Sequence, residues 1–225
     1  MILFDEESGK EYPVSESDRN YLRREFITLE QLSKRTGMDL GQLVAEIASN
    51  AFPKPAYKTD EGWFFPAHYA NIMKAAERSG QKLKEYFFLK SRKLLETQNP
   101  ISDAPGLTDV SEGRIEAMWN EFLTGLYGAC LIRPEPATIL QKERLMAEID
   151  AMLANPDENN ARWLEELCTS VDSLDAIENR FADVDRVRFN GPVSRDVYIT
   201  GVREKYCSRM RGKSMPGRDP TAVHL

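Results

Sequence analysis

The sequence predicts a mainly α-helical protein, and three observations predict it. Apolar residues recur at steps of three and four through the long segments; Leu164, Leu167, Val171, Leu174 and Ile177 are one such stripe. Two short helical patterns separated by a glycine turn occupy residues 28–49. The stretch FPKPAYKTDEGWFFP then sets two prolines and a polar Thr-Asp-Glu-Gly turn between aromatic residues, which reads as a small β-wing. The expected fold is therefore a winged helix-turn-helix-like N-terminal module followed by a C-terminal helical domain.

In order along the chain, residues 1–14 are expected to be a loose N-terminus. A short helix begins at Ser15 or Ser17 and runs through Tyr21 and Leu22. Thr28 is an N-cap, Leu29 and Leu32 face inward, and Gly37 ends the next helix in a turn. A second helix carries Leu43 and Ile47 inward, and the wing completes a module over 15–70. A connecting helix over 71–98, interrupted at Gly80, supplies Phe87, Phe88, Leu94 and Leu95. Residues 99–112 contain two prolines, a glycine and no periodicity, so they form a linker.

The C-terminal helical domain spans 113–206. Its first helix buries Trp119, Phe122, Leu123 and Leu126, and Gly125 and Gly128 allow close approach of another helix or a ligand. Pro136 opens a long amphipathic helix carrying Ile139, Leu140, Met146, Ile149, Met152 and Leu153, closed by Asn155-Pro156. A further helix runs over 158–181, and a loop rich in aspartate and arginine leads to a last helical run ending at Tyr206. The tail over 207–225 is basic, Gly/Pro-interrupted and poor in apolar residues, so it is expected to be disordered.

Composition excludes several classes. At 225 residues, 41% hydrophobic and 29% charged, the chain is that of an ordinary soluble protein. Its formal net charge of -6 disfavours a general affinity for nucleic acid or anionic membrane. The acidic start has no long apolar run, so no secretory signal is expected, and no segment has the length of a membrane span. Cys130, Cys168 and Cys207 are far apart and odd in number, which reads as free thiols in a reducing cytoplasm.

The residues FITLEQLSKRTGMDLGQLVAEIASNAF and the wing after them resemble the winged helix-turn-helix of MerR-like regulators, over residues 26–69. That resemblance implies a second helix entering the DNA major groove, and a dimer made by the helix after the wing. Here the second helix, DLGQLVAEIAS, has no lysine or arginine, and Gln42 is its one side chain of a base-reading type. DNA binding is thus disfavoured, and packing or protein docking is the plainer use of the unit. Three segments, FPKPAY…FFPAHY, LTGLYGACLIRPEP and VDSLDAIENRFADVDRVRFNGPVSRDVYI, resemble a family of bacterial proteins of unknown function associated with natural-product biosynthesis gene clusters. The resemblance covers residues 21–206. It implies a biosynthetic context and no established reaction, cofactor or catalytic residue. Where that family has threonine-proline-glutamate, this chain has Arg133-Pro134-Glu135.

Chemistry is narrowed by the two histidines, His68 and His224, which cannot supply paired Glu-x-x-His or HExxH metal sites. Gly212-Lys213-Ser214 is no P-loop, because the position of its first glycine is Cys207 and Pro216 blocks the helix that must follow. Asp172, Asp175 and Glu178 could hold a magnesium ion but read more simply as a solvated face. Cys130 lies among apolar neighbours and reads as a structural thiol.

What remains is the loop over 186–196. Asp185, Arg186, Arg188, Ser194 and Arg195 form the candidate binding set, because arginines beside a helix N-terminus suit a phosphate or carboxylate. The same arginines could instead pair internally with Asp172, Asp175, Asp183, Asp185 and Asp196. The expectation is an accessory protein that binds an anionic small molecule or a partner protein, with no metal or organic cofactor. A MerR-like regulator and an enzyme using an aspartate as base are the alternatives.

Overall fold

The computed structural model describes residues 1–5, 8–97 and 112–208. Five short strands, β1 (Ile2–Phe4), β2 (Glu11–Pro13), β3 (Phe26–Thr28), β4 (Tyr57–Thr59) and β5 (Gly62–Pro66), form an antiparallel sheet in the order β2-β1-β4-β5-β3. Residues 1–5 and 8–14 are thus not a loose start. Leu3 is buried completely and pairs with Tyr12 on one side and Thr59 on the other. Strands of three residues are too short to show a period, so sequence pattern could not reveal them.

Between these strands lie α1 (Glu16–Glu25), α2 (Leu29–Thr36) and α3 (Leu40–Ala48). Ser15 caps α1 through the Asp18 N–H. Thr28 caps α2 in a reciprocal box with Gln31, and Gly37 ends it at a φ of 79°. Leu32, Leu43 and Ile47 are buried between α2, α3 and the rest of the core. Strands β4 and β5 form a hairpin after α3, so the sheet is compatible with a wing.

The connecting segment divides at Gly80 into α4 (His68–Arg78) and α5 (Leu83–Thr97). Phe87 of α5 packs on Trp119 and Phe122, with ring centroids 5.3 and 5.0 Å away. Those two rings belong to α6 (Glu112–Leu123). The expected linker over 99–112 lies outside the described residues up to residue 111.

One expected core residue is corrected. Leu126 is exposed, because the helix breaks after α6 and restarts as α7 (Leu126–Cys130). Gly125 makes the break at a φ of 84°, with the Pro55 carbonyl oxygen 2.7 Å from where a Cβ would stand. At Gly128 a Cβ would stand 2.8 Å from the Tyr69 hydroxyl. Both glycines therefore serve close packing within the protein.

The long α8 (Pro136–Ala154) packs against α9 (Ala161–Asp175), which stops short of the expected end at residue 181. The segment expected to be loop contains α10 (Asp183–Arg188), and the last helical run is π-helical over Arg195–Gly201 and Arg203–Cys207. Residues of both halves share one hydrophobic cluster, which joins Leu32 and Leu43 to Trp119, Ile139, Leu167 and Ile199. A second cluster sets Leu3, Leu22, Phe26, Tyr57 and Phe64 against Ala182 and Val184. No helix among the described residues is long and apolar enough to cross a membrane.

The cysteine expectation is also corrected. Cys168 of α9 and Cys207 of the last π-helical run are joined in a disulfide, and Cys130 alone is free. Their Cα atoms are 5.8 Å apart although 39 positions separate them in sequence. Only the packing of the two helices brings them together. Cys207 is accordingly ordered, and the rest of the expected tail, residues 209–225, lies outside the described residues.

Two stability measurements follow. Gly125→Ala is expected to lose at least about 2 kcal/mol in urea unfolding, since it combines a positive φ with backbone overlap. Reduction of the Cys168–Cys207 disulfide is expected to lose roughly 3–4 kcal/mol, the loop-closure value for a ring of this length, read as a lower melting temperature in dithiothreitol.

Candidate functional site

The segment after α9 is held in place by backbone and side-chain bonds from elsewhere in the chain. Ile132 N–H donates to the Ile177 carbonyl (3.0 Å), and Asn179 N–H donates to the Cys130 carbonyl (2.9 Å). The Asn179 side-chain amide also donates to the Leu131 and Ala129 carbonyls at 3.0 and 3.2 Å. Phe181 then turns the chain at a φ of 63°. The first two amides of α10, Asp183 and Val184, donate to the Asp18 carboxylate at 2.7 and 3.2 Å. A buried carboxylate on α1 thereby caps a helix 165 residues away in sequence.

Asp185 is fully buried. Its Oδ2 accepts the Tyr57 hydroxyl at 2.7 Å and the Ala182 N–H at 2.9 Å. Its Oδ1 faces Arg188 Nε at 3.1 Å, an ion pair without the alignment of a hydrogen bond. Burial raises the carboxyl above the ordinary aspartate value even though Arg188 and the two hydrogen bonds pull it down. Burial and the Asp185 carboxylate likewise push the Tyr57 hydroxyl far up, so it is a donor at neutral pH. The Arg188 guanidinium lies 4.4 Å from the Phe189 ring centroid and 5.3 Å from that of Tyr57.

The other candidate residues are paired inside the protein. Arg186 grips Asp196 with two hydrogen bonds at 2.8 and 2.6 Å. Arg195 pairs with Asp175, whose second oxygen accepts Arg203 at 2.7 Å, and Arg203 also reaches Asp172 at 2.5 Å. The aspartates considered for magnesium are therefore taken up by arginines. Among the described residues, no group of three or more His, Cys, Asp or Glu is placed to hold a metal ion.

The Ser194 side chain does not cap the helix that follows it. It donates to Glu178 Oε1 at 2.7 Å and accepts from Lys142 at 3.0 Å. Lys142 and Glu178 are a buried ion pair at 2.5 Å, and neither is in the candidate set. A signal for Lys142 was present, because it lies between Ile139 and Leu145 on an apolar stripe where a solvated lysine has no place. Asp18, four residues before Leu22 on the buried side of α1, carried the same signal.

Burial keeps the Cys130 thiol above its ordinary value despite Lys142, so it is protonated at neutral pH and a poor nucleophile. His68 lies 3.1 Å from Glu135, the N-cap of α8, so this histidine serves a structural pair.

Beside α10, Arg188 and Phe189 meet Lys54, Lys58, Asp5 and Ser8 around a cleft of about 390 Å³. It is the place where the loop over 186–196 and the hairpin face each other with an excess of cations.

Residues 83–207 match a family of unknown function (DUF6058), which is more than half of the chain. The chain belongs to this family. No curated protein and no solved structure matches it. The DUF6058 match takes in α5 through the last π-helical run, including the whole loop and the Lys142–Glu178 pair. The five-stranded sheet and helices α1 to α4 lie before it.

Acid should unfold this family member through the loop pairs. The Asp196 carboxyl is held below its ordinary value of 3.8 by Arg186, and the Asp175 carboxyl by Arg203 and Arg195 against the opposing effect of burial. A depressed folded pKa gives stability that is present above the unfolded value and lost as pH falls through the folded one. Asp185, with a raised folded value, works oppositely and gains from protonation at a higher pH. Urea midpoints measured from about pH 7 to about pH 3 should fall below about pH 4, and Asp196→Asn should flatten that fall while lowering the midpoint at neutral pH.

Proposed function

We propose that the protein is an accessory component of a bacterial natural-product biosynthetic pathway, and that it binds an anionic small molecule where the loop over 186–196 faces the hairpin. The pathway context is supported by the resemblance of the segments around LTGLYGACLIRPEP and the loop itself. One observation carries the binding reading: Lys54, Lys58 and Arg188 line one cleft beside the Phe189 ring.

Arg188 is the anchor of this reading. Asp185 and the flanking rings set its position before any ligand arrives, which lowers the ordering cost of binding. Its net charge is offset by Asp185, so Arg188 contributes directed donors more than charge. Arg186, Ser194 and Arg195 act behind it, tying the loop to Asp196, Glu178 and Asp175. At about 390 Å³ the cleft suits a phosphate or carboxylate on a small organic body.

A partner protein is the second reading, favoured by Val187, Phe189 and Val197, which are 62%, 43% and 48% exposed on the same segment. The MerR-like regulator has less support, since α3 has no cation and exposes Leu40 and Val44. The enzyme reading lacks an accessible base, because Asp185 is sealed and its oxygens face Tyr57, Ala182 and Arg188.

The test is a thermal-shift titration with inorganic phosphate, citrate and a sugar phosphate. At least one should raise the melting temperature in a saturable way, and Lys54→Ala with Lys58→Ala should weaken that binding by about tenfold or more. If none of the three anions shifts melting, the cleft is not an anion site and the exposed apolar residues of the loop become the primary reading.

A further inference from the structure

The outer side of α5 carries cations that the protein does not answer. Leu83, Phe87, Ser91 and Leu95, at steps of four, are its buried side. Tyr86, Leu89, Lys90 and Lys93, with Lys82 just before the helix, recur at steps of three and four and share the opposite face. Leu89, at the centre of that face, is 51% exposed. Lys84 and Arg92 pair with Glu116 and Glu112 of α6. Lys82, Lys90 and Lys93 are exposed and make no ion pair among the described residues. The carboxylates of α5, Glu85 and Glu96, fall on the other side of Leu89, and Glu85 accepts the Lys82 N–H at 3.2 Å.

Neighbouring elements add two more cations to this flank. Arg78 ends α4, and Gly80 turns the chain into α5. Burial pushes the Tyr86 hydroxyl up, Glu135 adds to the rise and Arg78 opposes it, so Arg78 is within electrostatic reach of Tyr86. Lys90 Nζ lies 5.5 Å from the centroid of the same ring. The His68 hydrogen bond holds the Glu135 carboxyl below its ordinary value against burial, and Arg133 and Lys90 lend further positive charge. Glu135 is already paired with His68, so it leaves the exposed Arg78 and Arg133 with no ion pair among the described residues. On α4, Lys74 and Glu77 offset each other. By contrast Arg114, Arg186, Arg188, Arg195 and Arg203 are each taken up by a carboxylate of the chain.

We propose that this flank docks an acidic amphipathic helix of a partner protein. Carboxylates of that helix meet Arg78, Lys82, Lys90, Lys93 and Arg133, and its apolar side chains cover Leu89 and the Tyr86 ring. The charge is complementary and spread: from Lys82 to Lys93 the helix rises about 16 Å, more than a small anion can span. The apolar centre is what a helix laid along α5 would bury, with the cations as its polar rim. A nucleic acid is a poorer fit, because the chain's net charge of -6 repels a long polyanion and phosphates leave Leu89 uncovered. None of these residues lines the Arg188 cleft, so this inference does not need that cleft to bind anything.

Fluorescence anisotropy with the full chain and a labelled model helix of repeating Leu-Glu-Glu-Leu-Ala-Glu-Ala tests it. The same peptide with every Glu replaced by Gln, and a short duplex DNA, are the controls. The acidic helix should bind saturably and more weakly as salt is raised, and both controls should bind at least about tenfold more weakly. Lys90→Ala combined with Lys93→Ala should weaken binding by about tenfold or more, and Leu89→Ala by about fivefold. All three side chains are exposed, so both variants should melt close to the parent. Lys34→Ala with Arg35→Ala, exposed cations on α2, should leave binding unchanged, which separates docking on α5 from general attraction. No binding of the acidic helix, equal binding of the Gln peptide, tighter binding of DNA, or indifference to the α5 substitutions would overturn the inference.

Discussion

The structure depends on burying carboxylates where two parts of the chain meet. Asp18, Asp185 and Glu178 are all nearly inaccessible, and an unpaired buried charge would be far more costly than any single apolar contact is favourable. Each is therefore answered from elsewhere in the chain. Asp18 takes the amides that open α10, Asp185 takes the Tyr57 hydroxyl and faces Arg188, and Glu178 takes Lys142 and Ser194. These pairings fix the register of the C-terminal segment against the sheet and α8. Apolar packing alone, being non-directional, would leave that register less defined.

The same constraint shapes the surface. Because Arg186, Arg195 and Arg203 spend their charge on Asp196, Asp175 and Asp172, the loop is a rigid strut. At one edge of it Arg188 lines a cleft with Lys54 and Lys58.

Much of the helical half was legible in the sequence. Stripes at three and four spacing located α8 and α9, Thr28 and Gly37 bounded α2, and Pro136 opened α8, because these signals act within a turn or two of the chain. The N-terminal strands were not legible. Leu3 pairs with residue 59 by a single sheet register, and three residues carry no period. The members of the candidate set are mostly paired inside the protein, Arg186 with Asp196, Arg195 with Asp175 and Ser194 with Glu178. Lys142, a charged residue on an apolar stripe, was the readable sign of the buried pair that was missed.

By itself the sequence determined the bounds of α2, the start of α8, which faces are apolar, and that arginines and aspartates concentrate in one segment. These properties follow from local sterics, capping and periodicity, which need only near neighbours in the chain. Tertiary structure alone decided which arginine meets which aspartate, that Cys168 reaches Cys207, and that Lys142 and Glu178 are buried against each other. The reason is physical: a side chain's charge state and partners depend on the groups packing places within a few ångströms of it, and those groups lie up to 166 positions away along the chain.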